Sequence, residues 1–141
     1  MITSELLQRY PFFASLTDEQ LKAIAMISEE KSFPKDSILF KENTTANKLM
    51  LLLEGSVVLF YSGGSEGSVV NSPVCSIASG AIFGVSSLIK PYQYTASALA
   101  TMPVKVVDID GATLRMMAEN DPILDHVLMS NVASAVLSRL H

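Results

Sequence analysis

Hydrophobic and polar positions change their period twice along the chain. Leu21, Ile24, Ala25 and Ile27 recur at helical spacing, and they follow Thr17-Asp18-Glu19-Gln20. That tetrad has the form of a capping box, in which the Thr17 hydroxyl accepts a backbone N–H and Gln20 reaches back. Leu16 and Leu21 stand where a hydrophobic staple needs them, so the spacing predicts a helix over about 18–29. A shorter helix within 6–13, ending in the Phe12-Phe13 plug, precedes it. Glu29-Glu30-Lys31 then reads as the polar end of the helix.

From 31 to 110 the period shortens. Runs of Val, Ile, Leu and Phe alternate with Gly, Pro, Asn and Ser breaks, as a β-sandwich or barrel requires. Residues 48–53 and 56–61 flank Glu54-Gly55, which predicts a tight hairpin. Gly63-Gly64-Ser65-Glu66-Gly67 suits a longer hairpin loop, 68–78 a further strand, and Ser79-Gly80 its turn. Residues 98–101 and 104–109 are expected to pair around Met102-Pro103. Strand number and turn spacing fit a jelly roll.

The helical period returns after 110. Asp110 caps a helix that turns Leu114, Met117 and Ala118 inward. Asp121 caps a second that starts at Pro122, with Asp125 in the first turn, where negative charge suits the helix dipole. The second helix is apolar on more than one side. One stripe can cover the sandwich, and another, through Leu124, Val127, Leu128, Asn131 and Ala135, can meet a second subunit or a protein partner. The expectation is one domain over 1–141: helices to about 30, β jelly roll over about 31–110, helices over about 111–141.

Composition narrows the function. With 49% apolar and 17% charged residues in 141, the chain can bury a core. A formal charge of -4 and ten scattered Lys and Arg give no basic stripe for nucleic acid. No apolar run approaches the ~20 residues of a membrane span, and the N-terminus lacks a signal-peptide pattern. A single cysteine, Cys75, rules out an internal disulfide framework and suits a cytoplasmic setting. Neither Cys75 nor His126 has neighbours that make a metal or haem site. Nucleophile-elbow, P-loop and zinc-hydrolase motifs are missing, and Asp108 and Asp110, two apart at a strand end, read as a solvated side chain and a cap. No enzyme and no cofactor are expected.

The segment F-G-V-S-S-L-I-K-P-Y-Q-Y-T-A, Phe83 to Ala96, carries the functional signal. It resembles the phosphate-binding cassette of the cyclic-nucleotide-binding domain family, found in catabolite-activator-type regulators and kinase regulatory subunits. That family's pattern reads roughly F-G-E-x-A-L-L-x-x-x-P-R-S-A, and the segment follows it without a gap. The L-x-E-G turn, the S-G-x-x-F-G entry and the late V-x-x-I-D strand are similar too, so the resemblance spans about 6–140.

The resemblance implies a jelly roll with flanking helices and a ligand site at Phe83, Gly84, Val85, Ser86, Ser87, Tyr94, Thr95, Ala96 and Ser97. Two functional positions differ. The family's ribose-binding Glu aligns with Val85, and its phosphate-binding Arg with Tyr94. A buried phosphate needs a countercharge, and a guanidinium supplies two parallel N–H bonds where a phenol supplies one neutral hydroxyl. Losing that pair costs on the order of 2–5 kcal/mol. Lys90 is the nearest cation by sequence. The expectation is a regulatory module whose pocket is filled by its own side chains. The alternative is a sensor that takes a cyclic nucleotide weakly, or a less charged ligand. DNA-binding relatives continue into a helix-turn-helix domain, so nucleic-acid binding in cis is not expected of this chain.

Overall fold

The computed structural model describes residues 1–61 and 72–139. Two short helices, α1 (Ser4–Gln8) and α2 (Asp18–Met26), lead into strands β1 (Ser28–Phe33), β2 (Ile38–Phe40), β3 (Lys48–Glu54), β4 (Val57–Tyr61), β5 (Ser72–Ile77) and β6 (Ile82–Phe83). A 3₁₀ turn, Val85–Leu88, separates β6 from β7 (Ser97–Ala100) and β8 (Val104–Asp110). Helices α3 (Gly111–Glu119) and α4 (Pro122–Ser138) follow. The strands form two antiparallel four-stranded sheets, ordered β1-β8-β3-β6 and β2-β7-β4-β5, so the fold is the expected jelly roll flanked by helices.

The alternation of strand side chains divides the core in two. Met50, Leu52, Val104 and Val106 point between the sheets, where they meet Val57, Ile77, Phe83 and Ala98. Leu49, Leu51, Val107 and Ile109 point the other way, onto Leu7, Phe13, Leu21, Ile24, Leu114 and Leu128 of the helical layer. β3 is therefore buried on both faces, which is why its sequence is continuous in apolar residues rather than alternating. No helix among the described residues is long and apolar enough to cross a membrane.

Both N-terminal bonds of the capping box form: Gln20 N donates to Thr17 Oγ1 at 3.1 Å and Thr17 N to Gln20 Oε1 at 2.9 Å. The helix stops sooner than its periodicity predicts. α2 ends at Met26, because from Ser28 onward the backbone pairs rung by rung with β8, Ser28 opposite Ile109 through Phe33 opposite Val104. Glu29, Glu30 and Lys31 belong to an edge strand, where charges discourage pairing with another chain.

Glu54-Gly55 is not a hairpin turn. β3 lies in one sheet and β4 in the other, so the chain crosses between sheets there. The Met102-Pro103 connection makes the same crossing from β7 to β8, so those strands do not pair either. The crossings lie side by side, with Thr101 N donating to Ser56 O at 3.0 Å. Gly55 has φ +100, and a Cβ there would stand 2.6 Å from Pro103 O, so this corner admits no side chain. The glycine-rich loop at 63–67 and the first part of the expected 68–78 strand, to residue 71, lie outside the described residues.

Candidate functional site

The cassette begins where β6 ends. Gly84 has φ +76, and a Cβ would stand 2.8 Å from Lys48 O, so the backbone lies against the start of β3. The 3₁₀ turn that follows consumes part of its own hydrogen-bonding capacity. Ser87 N and Ser87 Oγ both donate to Gly84 O, at 3.1 and 2.8 Å, and Ser87 is fully buried. Ser97, also buried, accepts from Glu42 N at 3.0 Å. Ser86 is half-buried and Thr95 exposed, while Phe83 and Ala96 are buried. Val85 packs against the helical-side core.

Tyr94 lies inside the protein, 5% exposed. Its ring stacks on Phe40 with centroids 3.9 Å apart and planes 11° from parallel. Its hydroxyl donates to Lys48 O at 2.9 Å and accepts from Lys48 N at 3.1 Å. The phenol thus makes both of its hydrogen bonds to one backbone unit, the same unit against which Gly84 packs. Burial pushes its pKa up, and the Asp108 carboxylate adds to that, so the group is neutral at physiological pH. Phe40 stacks on Phe83 as well, at 6.0 Å, which links the plug to the first residue of the cassette.

Asp108 is not solvated. It is 4% exposed, on β8, and its Oδ2 lies 2.8 Å from Lys31 Nζ. Its Oδ1 lies 3.8 Å from Lys48 Nζ and has no hydrogen-bond partner among the described residues. The hydrogen bond to Asp108 raises the Lys31 pKa, with the carboxylate's charge adding to it. Register explains the cluster: β8 is the central strand between β1 and β3, so Asp108 meets a lysine from each side. Asp110 caps α3 as expected, accepting from Thr113 N at 3.0 Å, and the Thr113 hydroxyl bond holds its pKa below the usual carboxylate value. Replacing Lys31 by Met should therefore cost stability, because a buried carboxylate keeps only a distant cation. The expected loss is about 1–3 kcal/mol, below that for a fully buried pair because Lys31 is partly solvated. Asp108→Asn should cost less, since both lysines can turn into water. Urea melts of the two variants check the order.

Arg115, which the sequence did not single out, reaches the cassette from α3. Its Nη1 donates to Ser87 O, and its guanidinium lies 3.9 Å from the Tyr92 ring centroid. A helical arginine among ordinary surface positions carries no local sign of such a contact. Lys90 is exposed.

The C-terminal helix is turned differently from the expected partner stripe. Leu124 and Leu128 are buried in the chain's own core, Val127 and Ala135 pack against it, and Asn131 Nδ2 donates to Phe12 O at 2.8 Å. Covering α1, α2 and the outer sheet face takes Leu124 and Leu128 fully into the chain's own core, while Val127, Asn131 and Ala135 stay partly exposed. Ile123 and Leu137, 72% and 59% exposed, lie on the outer face. Cys75 is half-buried and His126 exposed, and no group of three metal-ligating side chains occurs among the described residues.

The profile of the cyclic nucleotide-binding domain matches residues 30–121, more than half of the chain, and spans both sheets, the cassette and α3. The chain belongs to the cyclic nucleotide-binding domain family. A protein of Geobacter metallireducens GS-15 described as cyclic nucleotide-binding is 65% identical over the whole of both chains, with a TM-score of 0.91. A cyclic nucleotide-binding domain from Methylobacillus flagellatus shares the fold at 20% identity and a TM-score of 0.76, over 96% of this chain and 75% of that one. The regulatory domain of Toxoplasma gondii PKA, crystallised with cAMP, shares it at 18% identity and a TM-score of 0.76, over 93% and 48%. Among curated proteins, a Rhodopseudomonas palustris protein described as a potassium channel is 20% identical over 122 residues. Those residues are 86% of this chain, which spans 28% of that protein.

Proposed function

We propose that this is a non-catalytic regulatory module of the cyclic nucleotide-binding fold that has given up cyclic-nucleotide binding at the cassette and acts through contacts with a partner or a second copy. One observation carries the reading: the side chain in the phosphate-binding Arg's place is a buried phenol whose hydroxyl is fully bonded to Lys48. A cyclic nucleotide entering there has to break those bonds and gains no countercharge. With Val85 turned to the helical core, no carboxylate at that position meets a ribose hydroxyl.

The exposed Ile123 and Leu137, on the outer face of α4, supply the apolar surface for that association. Sedimentation velocity at micromolar concentration, with and without 1 mM cAMP, tests the two parts together. The expected result is an associated species that cAMP does not alter and that Leu137→Glu converts to monomer. A monomer throughout, with no co-purifying partner, contradicts the association, and a cAMP-dependent shift contradicts the closed cassette. A second reading, a sensor for a less charged ligand, is favoured by a cavity of about 470 Å³ beside the plug, lined by Phe40, Thr44, Asn47, Lys48 and Tyr94.

A further inference from the structure

A second cavity, of about 720 Å³, lies away from the cassette, and none of Gly84, Val85, Tyr94 or Ser97 lines it. It follows the seam between the two sheets, where β5 is the edge strand of one and β6 of the other. The last turns of α4 and the Phe12 loop form its remaining walls. Its size is that of a small-molecule site. Phe12, Val74, Ile77 and Ile82 supply apolar surface, and Asn131 and Ser134 supply neutral hydrogen-bonding groups.

Arg139 is the only charged side chain among the described residues that line it. It is the C-cap of α4, a position from which a long cation ordinarily reaches its own helix carbonyls or water. Here it turns back into the seam, half-buried, and Nη2 donates to Ile82 O on the free edge of β6. Burial lowers the guanidinium's pKa, as expected of a cation partly removed from water with a neutral carbonyl as partner. The remaining donors of a guanidinium are fixed in a planar fork that matches a carboxylate. An apolar-walled groove holding one such fork is complementary to a compact apolar body carrying one negative charge.

We propose that the seam between β5 and β6, under the end of α4, binds a small amphipathic carboxylate, with Arg139 holding the carboxylate and Phe12, Val74 and Ile77 enclosing the apolar part. The site is independent of the cassette, so it stands or falls separately from the closure at Tyr94. Octanoate and octanol serve as probes of equal apolar body, with and without the charge, in amide NMR titrations of the whole chain. Octanoate is expected to shift amides within 74–78 and 131–139 saturably below about 5 mM. Arg139→Gln should weaken octanoate roughly tenfold or more and leave octanol unchanged, since only the charge-assisted pair is lost. The proposal is overturned if octanoate gives no saturable shift in that range, if its shifts centre on 84–96, or if Arg139→Gln binds it as well as wild type. Cooperative urea unfolding of the Gln variant shows that any loss of binding is not loss of fold.

Discussion

Tyr94→Ala is expected to destabilise the chain by about 3–4 kcal/mol, the range for removing a buried aromatic ring. The ring is 5% exposed and stacks on Phe40, so truncation leaves a void between β2 and the start of β3 that the rigid sheets fill poorly. The hydroxyl contributes separately, because without it Lys48 N and Lys48 O lose their partner. Tyr94→Phe isolates that part and should cost about 1–2 kcal/mol. In thermal melts the Ala variant should fall on the order of 10 °C. If Tyr94→Ala melts within a degree or two of wild type, the phenol is not a plug and the closed cassette loses its physical basis.

The second large effect is a gain. Tyr94→Arg, combined with Val85→Glu, supplies the guanidinium that the resemblance assigns to the phosphate and removes the phenol from the site. The new carboxylate has to turn out of the helical core, where Val85 packs, to reach a ribose. The backbone that must approach the ligand is already in place: Gly84 has the positive φ the turn requires, and the 3₁₀ turn follows it directly. Adding a charge-assisted pair to a partly buried anion contributes on the order of 2–5 kcal/mol, or about 30-fold to several-thousand-fold in affinity. The unliganded double variant should melt below wild type, having lost the bonds to Lys48, and cAMP should return part of that stability by mass action. A folded double variant that binds cAMP no better than wild type would show that the obstruction lies elsewhere in the pocket.

What the sequence made legible was local. The Thr17 box and the Asp110 and Asp121 caps are formed by residues three apart, and each is read from its own chemistry. The family was legible by resemblance, through the segment from Phe83 to Ala96. What stayed hidden depends on partners distant in the chain. Whether Glu54-Gly55 closes a hairpin or crosses between sheets is decided by which strands β3 and β4 pair with, and a glycine turn looks the same in both cases. Asp108 reads as solvated until β8 is known to be the central strand, between Lys31 and Lys48. Of the five residues assigned to a partner, Leu124 and Leu128 are buried in the chain's own core, and apolar spacing alone does not say whose core a residue belongs to. Phe40 and Arg115 complete the cassette from 54 residues before Tyr94 and 28 residues after Ser87 respectively, and carry no mark of it.

Closure of the cassette means that a neutral ring fills the anion site, and isothermal titration of cAMP into the purified wild-type chain tests it most directly. With Tyr94 bonded to Lys48, the titration should give only dilution heats up to about 1 mM nucleotide, a concentration that corresponds to roughly 4 kcal/mol of binding free energy. Saturable binding at micromolar cAMP, with one nucleotide per chain, would contradict it.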